Sequence, residues 1–370
     1  MYKLIHCADI HLDTPFHSKS SEQASIARRE LRRAFLSVIE CIKKEGIAAA
    51  LLSGDIFDSA YPSADTVAFF KDALASVPDC AFVISPGNHD PYTDDGVYGG
   101  EFPDNVHIFR SNELSYIDVP NTDIRVYGYA FTSPSLDTCP FINKKPEDSE
   151  KINVLCAHAD IGNPLSVYCP VSLNDIAGSG FDYCAFGHIH LNDGVKIASA
   201  VPYAYSGCLS GRDFGETGPK GAIIVSIDSD KKPTFESRIF SRYDYEERTV
   251  DVTGVCDGSE LRNRINSVID GLKKEIFLRL ELVGSVPMTL TVDPSALEGE
   301  LSDKVFYIEI EDSTLPLYDS EQLKNDPTIM GAFFSELLPM LENGSAEERR
   351  AAAKALRVGI SALRGEELPE

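Results

Sequence analysis

The sequence predicts an α/β protein built largely on parallel strands, and three observations carry that prediction. Short apolar runs recur through the first half of the chain: Leu4-Ile5, Ala48 to Leu52, Phe82-Val83-Ile84, Val154-Leu155 and Tyr183 to Phe186. They are too short for helices and read as buried strands. Segments with apolar residues at helical spacing separate the first runs, giving the βαβ alternation that favours parallel pairing. Each run is followed at once by a polar cluster: Asp9-Ile10-His11, Gly54-Asp55, Gly87-Asn88-His89-Asp90, His158, and Gly187-His188-Ile189-His190. Strand ends on an α/β sheet are where such folds hold their ligands.

Taken in order, residues 2–8 form the first strand and deliver Asp9 and His11, and a loop then carries Asp13 and His17. From Ser25 to Glu45, Leu31, Phe35, Val38, Ile39 and Ile42 recur at helical spacing, and Gly46 ends the helix. Arg28-Arg29-Glu30-Leu31-Arg32-Arg33 at its start reads as a solvated helix face, with a phosphate-binding patch as the sharper alternative. Thr66 to Leu74 is a second helix, and Ala81 to Ser85 the strand before Asn88. Residues 91–105 form a Gly-, Asp- and Tyr-rich loop that either borders the site or only connects. Ser115 to Val119 and Ile124 to Tyr129 make a hairpin, 138–151 a polar insertion, and Ile152 to Ala157 and Asp182 to Phe186 two more strands. Gly221 to Ile227 and Thr234 to Phe240 read as closing strands of a second, antiparallel sheet.

Around Tyr243 the pattern changes. Thr249 to Val252, an amphipathic stretch from Ser259 to Lys273, Ile276 to Leu282, and Val305 to Glu311 suggest a small α+β unit. Beyond residue 313 the chain turns helical. Ile329, Phe333, Phe334, Leu337, Leu338 and Leu341 form an apolar stripe that fits either packing on its own chain or docking a partner. The expected domains are 1–243, 244–312 and 313–370.

A chain of 370 residues exceeds the usual single core, so two domains or more are expected. Nine cysteines without C-x-x-C spacing, several inside apolar runs (Cys41, Cys80, Cys156, Cys184), read as free thiols of a reducing compartment. Asp9 arrives too early for a signal-peptide core, and no apolar stretch approaches a membrane span. A cytoplasmic protein without membrane association is expected. The net charge of −24, from 34 basic and 58 acidic residues, runs against the basic face typical of nucleic-acid binders. Either the substrate is small or another subunit supplies the basic surface.

The polar clusters carry the chemistry. Side chains at i and i+2 of an extended chain point the same way, so Asp9 with His11, or His188 with His190, can grip one ion. Carboxylate, amide and imidazole donors without a thiol suit divalent manganese, iron or zinc. Seven such groups (Asp9, His11, Asp55, Asn88, His158, His188 and His190) are too many for one ion and suit two ions sharing a bridging carboxylate.

In their order, D-x-H, G-D, G-N-H-D, H and G-H-x-H resemble the motifs of the calcineurin-like metallophosphoesterase superfamily. Within it, His11-Leu12-Asp13-Thr14-Pro15-Phe16 and Gly54-Asp55-Ile56-Phe57-Asp58 are most similar to bacterial SbcD-type DNA repair nucleases, over about residues 1–240. The small-residue stretch Tyr205-Ser206-Gly207-Cys208 also fits. The resemblance implies a two-sheet β-sandwich flanked by helices in four layers, an α+β capping domain and a helical C-terminal segment. It implies one ion held by Asp9, His11 and His190, a second by Asn88, His158 and His188, and Asp55 bridging both. His89 would protonate the leaving oxygen, or else only orient Asp55 or Asn88. Asp58 stands where some members carry a histidine that helps select the cleavage mode, which leaves exonuclease against endonuclease preference open. Asp13 and Asp90 read as turn or supporting groups.

The resemblance further implies DNA as substrate, manganese as the metal, an SbcC-like coiled-coil ATPase docking on the C-terminal helices, and a homodimer. A small-substrate phosphoesterase, acting on a nucleotide or cyclic nucleotide, is the alternative that the acidity favours. An inactive scaffold is the third reading, and the intact donor set speaks against it.

Overall fold

The first strand, β1 (Tyr2–Cys7), is apolar on both faces: Leu4 joins one core while Ile5 and Cys7 join another. A strand buried on both sides needs a layer on each. The computed structural model describes residues 1–16, 21–287, 289–317 and 320–365, so His17 lies outside the described residues. The chain forms two compact units, residues 1–244 and 245–370.

The first unit continues through α1 (Ser21–Glu45), β2 (Ala49–Leu52), α2 (Ala64–Ala75), β3 (Ala81–Ile84), β4 (Val106–Ile108), β5 (Ser115–Asp118) and β6 (Ile124–Gly128). After β7 (Ile152–His158) come the short pair β8 (Asp160–Ile161) and β9 (Pro170–Val171), then α3 (Leu173–Ser179) and β10 (Tyr183–Gly187). β11 (Lys196–Ala198), β12 (Val201–Tyr205), β13 (Gly221–Ile227) and β14 (Thr234–Ile239) complete it. One six-stranded sheet has the order β14-β13-β1-β2-β3-β4 and the other β11-β12-β10-β7-β6-β5. Their centres are parallel, with Cys7 beside Leu52, Leu52 beside Ile84, and His158 beside Gly187. This register brings the ends of β1, β2 and β3, and separately of β7 and β10, to common edges.

Leu4, Leu51, Val83, Val154 and Ala185 meet in the core shared by the two sheets. Leu31, Phe35, Val38 and Ile42 of α1, with Phe70 and Leu74 of α2, cover the other face of the first sheet. Ile176 of α3 packs with Leu155, Ala157 and Phe186 on the other face of the second. The result is the expected α/β class, two large mixed sheets flanked by helices.

One expectation fails. β13 and β14 do not close a second, antiparallel sheet; β13 pairs antiparallel with β1, and β14 adds to its far side. β13 buries Ile223 and Val225 between the sheets and Ala222 and Ile224 toward the helices, so it is apolar on both faces like the strand it joins. That pattern reports two-sided burial but not the partner.

The second unit holds β15 (Asp244–Asp251), α4 (Gly258–Ile269), β16 (Ile276–Val283), β17 (Ser285–Pro287), α5 (Pro294–Leu301), β18 (Tyr307–Asp312) and β19 (Leu315–Leu317), then α6 (Ser320–Lys324), α7 (Ile329–Asn343) and α8 (Ala346–Arg364). Strands β15, β16 and β18 form a sheet, and Leu261, Ile265, Leu297 and Leu301 of α4 and α5 share one core with Leu278, Leu280 and Leu282 of β16. α4 starts where the Asp257 side chain accepts from the backbone N–H groups of Ser259 and Glu260. Phe334 and Leu341 of the α7 stripe are buried with Ala352, Leu356 and Ile360 of α8, while Ile329 is exposed. Among the described residues no helix is long and apolar enough to cross a membrane.

Candidate metal centre

Every polar cluster but His158, which ends β7, leaves its strand through a sharp turn. Asp9, His11 and Asp55 have φ values of 50°, 51° and 52°, and His188 has 114°. Left-handed backbone is costly for residues with a side chain and persists where surrounding bonds hold it. Here the Asp9 N–H donates to Gly54 O (3.1 Å), His11 N–H to Asp55 O (3.0 Å) and Leu12 N–H to Ile56 O (2.8 Å), so the first two turns brace each other. The motif glycines are needed for clearance. A Cβ on Gly87 would lie 2.2 Å from Asp55 Oδ1, and one on Gly54 would lie 2.5 Å from His158 Nδ1.

Asp90 ties the second and third turns together. Its carboxylate accepts from the backbone N–H groups of Asp55, Ile56, Phe57 and Gly87 and from the Tyr98 hydroxyl at 2.6 Å. Complete burial, reinforced by the Asp55 charge, pushes its carboxyl up to about 7. Tyr98 comes from the 91–105 loop, which therefore supports the site through Asp90. Asp13 accepts from Ser63 and Thr66 and holds its own turn against α2.

Five of the predicted groups converge closely. Asp9, His11 and His190 offer one ligand atom each within 4.8 Å of one another, and so do Asp9, Asp55 and His158. Asp55 Oδ2 lies between the two sets, 3.9 Å from His11 Nε2 and 3.5 Å from His158 Nε2. Asn88 Oδ1 is 2.9 Å from His158 Nε2. His188 stands at the margin. Its ring packs edge-on to His158 with centroids 5.2 Å apart, its Nε2 is 4.0 Å from Asp160, and its backbone N–H donates to Asp9. His89 donates its backbone N–H to Asp55 Oδ1 (2.9 Å), while its ring, about half exposed, stands edge-on to His11 with centroids 4.9 Å apart.

The protons on three of these rings follow from their outer partners. His11 Nδ1 faces Asp58 Oδ1 (3.0 Å), His190 Nδ1 faces Glu216 Oε1 (2.6 Å) and His158 Nδ1 faces Ser53 O (3.0 Å). These oxygens only accept, so Nδ1 of His11 and of His158 carries the hydrogen and Nε2 turns a lone pair inward; at His190 the nearer Glu216 oxygen selects the same tautomer, although Arg212 Nη2, a donor, also lies 3.0 Å from Nδ1. His11 Nε2 and His190 Nε2 then face each other at 3.3 Å. Two nitrogens that close need a proton or a cation between them, and the Asp9 and Asp55 carboxylates beside them favour the cation. Burial also disfavours a charged imidazole at His11 and His188, holding both below the ordinary range. At His190, burial is outweighed by the Glu216 hydrogen bond together with the Asp9 and Glu216 charges, and the pKa rises. The donor set therefore fits divalent cations held by nitrogen and oxygen, and among the described residues none of these groups contains a thiol.

Two supporting residues escaped sequence reasoning. Glu216 is buried and accepts from His190 Nδ1, the Arg212 backbone N–H (2.8 Å) and Arg212 Nη2 (2.7 Å). Arg212 Nη1 lies 3.5 Å from Asp58 Oδ1, so one guanidinium joins the carboxylates that orient His11 and His190. Such outer partners fix the tautomer and aim of a ligating imidazole. The Arg-x-x-x-Glu spacing beyond Tyr205-Ser206-Gly207-Cys208 was the available signal, but in an irregular segment it reads as a solvated polar turn.

The model of the calcineurin-like phosphoesterase family matches residues 2–192, a stretch that carries every cluster described above. The chain belongs to that family. It is accordingly a metal-dependent phosphoesterase. It is similar to the uncharacterized metallophosphoesterase YhaO of Bacillus subtilis, 26% identical over 366 residues that cover 93% of this chain and 88% of that one. It is also similar to the SbcD component of the nuclease SbcCD of Staphylococcus saprophyticus, 25% identical over 262 residues, or 62% of this chain and 66% of that protein.

Proposed function

We propose that this phosphoesterase is a two-metal nuclease that hydrolyses phosphodiester bonds at DNA ends and works in DNA repair with an SbcC-like coiled-coil ATPase in the cytoplasm. The observation that carries the two-metal part is the pair of inward-facing Nε2 atoms of His11 and His190, 3.3 Å apart, with Asp55 lying between them and His158. Asp9, His11 and His190 would hold one ion, Asn88, His158 and His188 the other, with Asp55 shared; manganese suits these donors, as do iron and zinc. Bound there, the pair supplies Lewis acidity toward phosphoryl oxygens and acidifies water at neutral pH.

The protein's own groups do the rest. Asp58 and Glu216 fix His11 and His190, and Asp90 fixes the Asp55 turn. His89 turns Nδ1 toward Asp58 (3.9 Å), which leaves Nε2 to carry the proton to the leaving oxygen. No covalent intermediate is required. Similarity to a nuclease component and a second unit extending past the family match favour DNA over a small ester. The C-terminal helices α7 and α8, with Ile329 exposed, are the proposed docking region for the ATPase, and a homodimer through the first unit belongs to the same reading.

The net charge of −24 favours a second reading, a phosphoesterase for a nucleotide or cyclic nucleotide. Cleavage of an end-labelled blunt duplex by the manganese-loaded chain separates the two, with Asp55→Asn, a chelator and bis-p-nitrophenyl phosphate run alongside. Shortening of the duplex that both controls abolish supports the nuclease. Hydrolysis of the small ester with intact DNA, even when the ATPase is added, would leave the second reading.

A further inference from the structure

Three of the four arginines at the start of α1 gather at one cavity. Arg28, Arg29 and Arg32 line one side of a cavity of about 320 Å³, and Leu12, Asp13 and Thr66 line the other. Residues four and three apart on a helix share a face, which is why Arg28 and Arg29 both stand beside Arg32. Arg28 Nη1 donates to Pro15 O (3.2 Å), and Arg32 Nη2 donates to Asp65 (2.6 Å) and Thr66 (3.0 Å). Among the described residues neither Arg28 nor Arg29 has an ion-pair partner, and both are exposed.

Among the described residues, Asp13 is the one carboxylate lining the cavity. Its oxygens accept from the Ser63 N–H and from the Ser63 and Thr66 hydroxyls, and a single carboxylate does not balance the guanidinium groups of Arg28 and Arg29. Among the described residues the cavity therefore has a net positive lining, in a chain of charge −24. Its far wall is the turn that presents His11, since Leu12 follows His11 directly and is pinned by its N–H to Ile56 O.

We propose that this cleft receives a phosphate of the nucleic-acid backbone beside the scissile bond, with Arg28 and Arg29 as its donors. The proposal rests on the reading of the neighbouring centre as a phosphodiester hydrolase. Guanidinium forks match phosphate oxygens two at a time, and a strand long enough to fill both centre and cleft is held where a small ester is not.

Binding without metal tests the cleft apart from the chemistry. Fluorescence anisotropy of a short labelled duplex with the full chain is followed in chelator over a range of sodium chloride. Arg28→Gln/Arg29→Gln is expected to flatten the plot of log K against log salt by about 2 in slope. Arg28→Lys/Arg29→Lys should restore most of that slope, because the charge returns. Lys43→Gln/Lys44→Gln, which removes the same charge from the exposed far end of α1, should keep the wild-type slope. The proposal is overturned by equal slopes in the wild type and the glutamine variant, by an equal loss in the Lys43/Lys44 variant, or by no binding of the wild type. Failure of the hydrolase reading would show elsewhere, as bis-p-nitrophenyl phosphate left intact by the manganese-loaded wild type.

Discussion

Replacing Glu216 by Gln tests how far the centre depends on its outer carboxylates. In the native chain the Glu216 carboxylate meets four N–H donors: His190 Nδ1, the Arg212 backbone, Arg212 Nε and Arg212 Nη2. A glutamine amide keeps one oxygen and adds two donors, so at least one of those N–H groups faces another donor. Among the described residues Arg212, itself largely buried, then keeps only Asp58 as a counter-charge, 3.5 Å away. Loss of one partner of a buried ion pair costs about 3–5 kcal/mol. Loss of an outer partner of a ligating imidazole weakens metal binding by about 10–100-fold, or about 1.4–2.7 kcal/mol. Titration calorimetry with manganese should show that weakening, and the melting temperature in chelator should fall as well. A manganese affinity within twofold of the wild type would refute the role given to Glu216, whatever happened to the melting temperature.

His89→Ala should lower turnover of DNA by about 100-fold while hydrolysis of bis-p-nitrophenyl phosphate, whose leaving group needs no proton, falls little; equal losses on both would remove His89 as the acid. His6, which donates from Nε2 to Phe186 O and accepts from the Tyr183 hydroxyl, is held by burial at about 3 instead of near 6.5. Between those values the unfolded chain binds a proton that the folded chain does not, so stability falls as pH drops below about 6.5. From pH 7.5 to pH 5 this amounts to about 2 kcal/mol, and urea unfolding of His6→Gln should lack it; the same acid dependence in both proteins would exclude His6 as the source.

The strand ends were legible because each apolar run is short and its polar cluster follows immediately; Asp9, Asp55 and His158 fall where that pattern puts them. What the pattern could not carry is pairing across long distances. β13 has the two-sided apolar character of a central strand, yet nothing in its residues says that its neighbour is β1, more than two hundred positions earlier. The same limit hid Glu216 and Arg212, which act through His190 and Asp58 from an irregular segment with no period to mark it. Asp90 was read as a supporting group, but its grip on five donors depends on a tyrosine from a loop whose role the sequence left open. The arginines of α1 read as a solvated face because the turn from Leu12 to Asp13, which makes the opposite wall, lies far from them in the helical pattern.

The central claim is that one carboxylate, Asp55, serves two ions at once. Manganese bound per chain should be counted by equilibrium titration for the wild type and for Asp55→Asn, with diester hydrolysis followed in the same samples. The account predicts about two ions for the wild type, and at most one together with loss of hydrolysis for the variant. Two tightly held ions and undiminished hydrolysis in Asp55→Asn, or a wild type that takes up only one, would contradict it.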